Sequence, residues 1–219
     1  MDARQFATAF CAAPVCFFMR LSASRLSVER GGRVIFSNLS FAVEAGESLV
    51  VTGRNGAGKS TLLRALAGLL PLAQGELSLT PASEETLIEQ AHYIGHADAL
   101  KASLTVIENL EFHAALLQSG RGGSSPSEAL AEFGLAHVAH LPATYLSAGQ
   151  KRRAALAKLL VARRPIWLLD EPTTALDDAA QSLMSAVMAA HLADRGLIIA
   201  ATHARLDLHA RELRLGDAA

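Results

Sequence analysis

Three groups of residues in this 219-residue chain have the types and spacing that chemistry requires. The first is Gly53-Arg54-Asn55-Gly56-Ala57-Gly58-Lys59-Ser60, followed by Thr61, which matches G-x-x-x-x-G-K-[ST]. Its glycines let the backbone fold into a cup of N–H groups around phosphate oxygens, and the amino end of a following helix adds a positive dipole end. At this spacing Lys59 reaches the β- and γ-phosphates of a nucleotide, and the Ser60 hydroxyl is placed to ligate Mg²⁺. Chance produces the pattern in roughly one chain of this length in a hundred at average glycine content. The second group is the apolar run Ile166 to Asp170 with Glu171 behind it, which delivers two adjacent acids. Asp170 would hold Mg²⁺ through water, while Glu171, pointing the other way, would polarise an attacking water. Taken alone, the pair equally describes a helix cap ahead of Pro172. The third is His203, which directly follows an apolar run and Thr202.

These groups need elements to hold them. Ser48 to Thr52 reads as a short strand of the kind buried in a parallel sheet, and the glycine loop then opens a helix from Ser60 to Leu70 that Pro71 closes. Ahead of it, Leu21 to Val28 and Val34 to Phe41 read as two strands joined at Gly31-Gly32. In the middle of the chain, Thr105 and Glu108 form a capping box that starts a helix to about Gln118, and Ser125 to Glu128 starts another. A flexible linker is expected at Gly120 to Ser125, and a third helix from about Ala148 to Arg163. Helices without intervening strands predict an α-helical subdomain, about residues 97–163, inserted into an α/β core. Alternation then returns: strands at Ile166 to Leu169 and Leu197 to Ala201, a helix capped by Asp177 running to Ala193, and an edge strand at Arg211 to Leu215.

Composition narrows the function classes. Lys+Arg number 20 and Asp+Glu 21, with a pI of about 6.7, which argues against the basic face of a nucleic-acid binder. Hydrophobic residues make up 51% and mean hydropathy is +0.26. The two uncharged, mainly apolar runs Gln5 to Met19 and Ala179 to Ala193 are 15 residues each, shorter than the roughly 18 a transmembrane helix needs. A transporter complete in this one polypeptide is therefore not expected. Residues 1–19 read as an extension outside the fold, disordered or upstream of a working start at Met19, and 20–219 as a single domain. Both cysteines, Cys11 and Cys16, fall in the extension, so no internal disulfide is expected in the rest. His92 and His96 sit four apart, but no carboxylate or cysteine cluster supports a metal site there.

Leu146-Ser147-Ala148-Gly149-Gln150 resembles the LSGGQ signature of ATP-binding cassette (ABC) ATPases, with Ala148 replacing a glycine. Ala175-Leu176-Asp177 looks like that family's D-loop and His203 like its switch histidine, so five motifs stand in family order from about Leu21 onward. The resemblance implies a P-loop NTPase with a RecA-like core, an amino-terminal antiparallel β subdomain and an inserted α-helical signature subdomain. It also implies an ATPase using ATP and Mg²⁺. Two copies of the chain would sandwich two ATP molecules, each between the phosphate loop of one copy and Ser147 to Gln150 of the other. Glu171 would act as base, His203 would hold the γ-phosphate and water in line, and Asp177 would couple the sites. Arg30 falls where the family usually presents an aromatic residue to adenine. His96 falls at the Q-loop position that ordinarily touches Mg²⁺ and senses a membrane partner.

Tyr93-Ile94-Gly95-His96, Leu104-Thr105-Val106-Ile107-Glu108-Asn109-Leu110, Glu29-Arg30, Phe36 to Phe41 and Pro172 to Asp177 together resemble the haem exporter ATP-binding subunits of cytochrome c maturation. That family has Gln after the His, where this chain has Ala97. The resemblance implies integral membrane partners, haem delivery for c-type cytochromes, and a place at the cytoplasmic face of a bacterial inner membrane. The alternatives are an ABC ATPase for another exported cargo, a soluble ABC protein of translation or DNA repair, and a small-molecule P-loop kinase.

Overall fold

The computed structural model describes residues 19–117, 122–204 and 206–216. Strands β1 (Arg20–Arg30), β2 (Arg33–Glu44) and β4 (Gln74–Thr80) form an antiparallel sheet in the order β2-β1-β4. A second, parallel sheet has the order β5-β6-β7-β3-β8, built from β3 (Ser48–Thr52), β5 (Ala91–Ile94), β6 (Ile166–Asp170), β7 (Leu197–Ala201) and β8 (Ala210–Arg214). The helices are α1 (Lys59–Leu66), α2 (Leu87–Gln90), α3 (Val106–Leu117), α4 (Pro126–Glu132), α5 (Ala148–Val161) and α6 (Asp178–Ala193). The fold is the α/β arrangement expected of a P-loop NTPase, with α3 to α5 following one another without a strand between them.

Every residue of β6 and β7 is buried, as continuous apolar runs in a parallel sheet covered on both faces must be. Because successive side chains point to opposite faces, β6 divides between two cores. Ile166 and Leu168 join Leu62, Leu63 and Leu66 of α1 and the antiparallel sheet, whereas Trp167 and Leu169 join α5, α6 and the middle helices. One strand thus ties both layers together and ends, at Asp170, where the two acids stand.

Five helices begin with a side-chain cap: Thr86, Thr105, Ser125, Ser147 and Asp177 each accept a backbone N–H of their own first turn. Helix α1 begins instead at Gly58, in left-handed conformation and with no side-chain cap. It also stops earlier than Leu70. The Gly68 N–H donates to Ala65 O and the Leu69 N–H to Arg64 O, a Schellman closure made possible by the positive φ of Gly68, so glycine ends the helix before Pro71 can.

Two further expectations change. The described part of the Gly120 to Ser125 segment is anchored, since the Ser124 N–H donates to Leu160 O and Gly122 O accepts from the Arg163 N–H, both at 2.8 Å. Gly120 and Arg121 lie outside the described residues, as do residues 1–18 with both cysteines. Met19, read as the end of the extension, is buried, and its carbonyl accepts from the Ala45 N–H.

Three histidines pack at the second core, His92 fully buried and His113 and His191 partly so. His92 donates Nε2–H to Ala162 O at 2.6 Å and faces His113, while His191 stacks on Trp167 at 3.8 Å. Burial pushes the His92 imidazole down to about 3, and those of His113 and His191 to about 4. A folded value below the unfolded value near 6.5 means that the unfolded chain binds protons first, so stability falls as pH drops below about 6.5. Lowering the pH from 7.5 to 5 should cost about 2 kcal/mol for each of His92 and His191. Urea unfolding at the two pH values measures it, and equal stability would refute the neutral burial of these rings.

Candidate active site

The phosphate-loop motif leaves β3 at Thr52 and enters α1 at Lys59, so it lies at the carboxyl end of a central strand. Gly58 has φ +101°, and a Cβ there would lie 2.7 Å from Ile35 Cγ2. Gly53 has φ +139°, and its Cβ would lie 2.4 Å from Leu215 O. Conformation and space therefore both demand glycine at these two positions. The uncapped first turn of α1 leaves its backbone N–H groups pointing out of the helix end, beside the Lys59 charge.

Lys59 is 8% exposed, and its ammonium donates to Gly53 O at 2.9 Å and Arg54 O at 3.2 Å. It also lies 2.9 Å from His203 Nε2. An ammonium can only donate, so that ring nitrogen is the acceptor in this pair. His203 follows β7, which stands beside β3 in the sheet; adjacency of the two strand ends explains how residues 144 positions apart meet.

The acids come from β6, on the other side of β7. The Ser60 hydroxyl donates to Asp170 Oδ1 at 3.1 Å, while Asp170 Oδ2 is buried without a hydrogen-bond partner. A buried carboxylate oxygen without a partner is costly, and a hydrated divalent cation held by one carboxylate and a hydroxyl suits this pair of oxygens. The donor set therefore fits Mg²⁺. Glu171 adopts φ +50°, and its Oε2 accepts from the Thr202 hydroxyl at 3.1 Å. Its Oε1 lies 4.0 Å from His203 Nε2. Thr202 thus holds one carboxylate oxygen and leaves the other beside the histidine.

The carboxyl ends of β3, β6 and β7 therefore bring together Gly53 to Ser60, Asp170, Glu171 and His203, all of which the sequence singles out. Other candidates stand apart from them. Ser147 and Ala148 are exposed at the start of α5, and the hydrogen bonds of Ser147 and Gln150 run to each other in a capping box. Gly149 faces Ala175 O, which would be 3.1 Å from a Cβ there, so the signature and D-loop segments touch. Asp177 uses its carboxylate to accept the Ala180 N–H at 2.8 Å. Arg30 is exposed at the tip of the β1–β2 hairpin, whose Ile35 and Phe36 pack over Gly58. His96 is exposed just past β5 and lines a cleft with Arg64, Tyr93, Asp98, His113 and Lys158. Among the described residues no group of three or more His, Cys, Asp or Glu side chains is placed to hold a metal ion, and His92 bonds a carbonyl.

Sequence reasoning passes over Arg152, which donates to the carbonyls of both Asp170 and Glu171. Lys151 and Arg153, on either side of it, are basic too. Yet Arg152 shares a helical face with Leu156 and Leu159, four and seven residues on, and that spacing marks a buried position.

The model of the ABC transporter family matches residues 36–174. A cytochrome c biogenesis ATP-binding export protein CcmA of Nitrobacter winogradskyi is 57% identical over 202 residues, covering 92% of this chain and all of that one. The chain belongs to the ABC transporter family, in its CcmA branch. A CcmA of Mesorhizobium japonicum is 52% identical over 202 residues, again across the whole of that protein. Among solved structures, a putative ABC transporter ATP-binding protein of Pyrococcus furiosus shares the fold, with a TM-score of 0.76 over 90% of this chain at 21% identity. An ATP-binding subunit of an ABC transporter gives 0.73 over 84% at 25% identity. As an ABC transporter ATP-binding chain, the protein is an ATPase whose hydrolysis is coupled to transport. Among its described residues, no helix is long and apolar enough to cross a membrane.

Proposed function

We propose that this chain is the ATP-hydrolysing subunit of an ABC transporter for c-type cytochrome biogenesis, powering haem export or delivery from the cytoplasmic face of a bacterial inner membrane. The observation that carries the ATPase reading is the meeting of the Lys59–His203 and Ser60–Asp170 pairs across three strand ends. The process is supported by relatives that match along their full length and are named cytochrome c biogenesis ATP-binding export proteins, and haem as the cargo rests on the sequence resemblance. Lys59 and the amides of Gly53 to Thr61 bind the phosphates. Ser60 and Asp170 would hold Mg²⁺, which would supply charge neutralisation on the phosphate oxygens. Glu171 Oε1 takes the proton of the water whose oxygen bonds to the γ-phosphorus as the bond to ADP breaks. His203 aligns that water and the γ-phosphate.

Two copies of the chain complete the sites: Ser147, Ala148, Gly149 and Gln150 meet the nucleotide of the partner copy with small residues and a helix amino end. Arg30 stacks on adenine. His96, on the open cleft past β5, senses integral membrane subunits. Pull-down of the full chain from a detergent extract should bring membrane subunits with it, and deletion of its gene should remove haem-stained c-type cytochromes from membranes. Membrane subunits with unaltered c-type cytochromes would assign another exported cargo. Recovery without any membrane protein would favour a soluble ABC ATPase.

A further inference from the structure

Arg152 lies in the first turns of α5, two residues beyond Gln150, with its side chain only 5% exposed. Its Nη2 donates to Asp170 O at 2.9 Å and to Glu171 O at 2.7 Å. Its Nη1 donates to Gly95 O at 2.9 Å and reaches Asp98 Oδ1 at 3.4 Å. One planar guanidinium therefore joins the start of the signature helix to the backbone ends of β5 and β6. Glu171 is a non-glycine residue at φ +50°, a conformation that persists only where its surroundings hold it. Its N–H is held by Ala201 O at 2.8 Å, on the β7 side, and its carbonyl by Arg152, on the α5 side.

We propose that Arg152 is a positioning residue for ATP hydrolysis: it fixes the left-handed turn that aims the Glu171 carboxylate, and it ties that turn to the helix end bearing Ser147 to Gln150. The inference rests on the reading of Glu171 as base. Movement of the signature helix against the partner copy's nucleotide is thereby transmitted to the base of the chain's own site. The function depends on the fork of the guanidinium rather than on its charge, because three carbonyl oxygens around one side chain need donors fixed in a plane.

The test uses the full chain with its co-purified membrane subunits. Arg152→Lys retains the charge beside Asp98 and loses the fork. It should lower kcat by about 10- to 100-fold, as a misplaced catalytic group does, with KM for ATP within about threefold of the starting value. The melting temperature should fall by no more than about 10 °C, so that the chain stays folded at the assay temperature. Arg152→Gln should show the same split. In a Glu171→Gln background, Arg152→Lys should lower the residual rate no further, because its effect passes through that side chain. Unchanged kcat in both Arg152 variants overturns the proposal, and so does a loss that appears mainly in KM, or a further drop in the Glu171→Gln background. Failure of both variants to fold assigns Arg152 to the fold alone and overturns it too. If Glu171→Gln itself hydrolyses at the unmodified rate, the base reading has failed. A silent Arg152 alongside an inactive Glu171→Gln defeats this inference alone.

Discussion

Glu171→Gln should abolish ATP turnover while leaving ATP bound, and the bound nucleotide should then hold two copies of the chain together. The substitution keeps the shape of the side chain and an oxygen able to accept from the Thr202 hydroxyl, so the local packing survives. What it removes is the basic oxygen that lies 4.0 Å from His203 Nε2. General-base catalysis contributes about 10²- to 10⁴-fold, so the rate should fall by at least about two orders of magnitude. Phosphate release measures the rate, and size-exclusion chromatography with and without ATP measures the dimer. Hydrolysis at the unmodified rate would remove Glu171 from the mechanism. A chain that loses both hydrolysis and ATP binding would make it a binding residue instead.

Lys59→Ala should lose nucleotide affinity rather than turnover alone. The ammonium sits in a nearly closed cup, bonded to Gly53 O and Arg54 O, and so meets a phosphate where water screens it little. Truncating one partner of a buried charge pair costs about 2 to 5 kcal/mol, which corresponds to a rise in ATP Kd of roughly 30-fold to several thousandfold. Titration calorimetry gives the Kd directly. Affinity within about threefold of the unmodified chain would show that the loop amides suffice and would end the proposed role of Lys59. His203→Ala need not copy this result, because that ring accepts from Lys59 and is more than half exposed.

Much of this site is legible in the sequence because its parts are local. A glycine loop, its lysine and its hydroxyl are neighbours along the chain, and β6 and β7 stand out because buried parallel strands tolerate little but apolar residues. The helix caps are legible for the same reason, each resting on residues three apart, as Thr105 with Glu108 and Ser125 with Glu128. Strand order is not local, and the contact of Lys59 with His203 follows from β7 lying beside β3, which no spacing announces. Strands β4 and β5 escaped notice for different reasons. In β4 even its best-covered residues, Leu77 and Leu79, are only half-buried. In β5, four residues long, a buried imidazole interrupts the apolar run, and only its bond to Ala162 O makes His92 tolerable there. Arg152 was obscured by its neighbours, since two further basic residues flank it and composition gives no hint that one of the three turns inward.

The start of α1 has a consequence for how the molecule behaves between turnovers. Where the other five helices carry their own terminator in the chain, α1 begins at a bare glycine, and its first amides have no side chain of their own to bond. Nucleotide phosphate is the group suited to close that helix end, so the folded state and the loaded state share one free-energy term. Bound ATP should therefore add order at the head of α1, and a chain without nucleotide should open at that turn before the two cores behind it do.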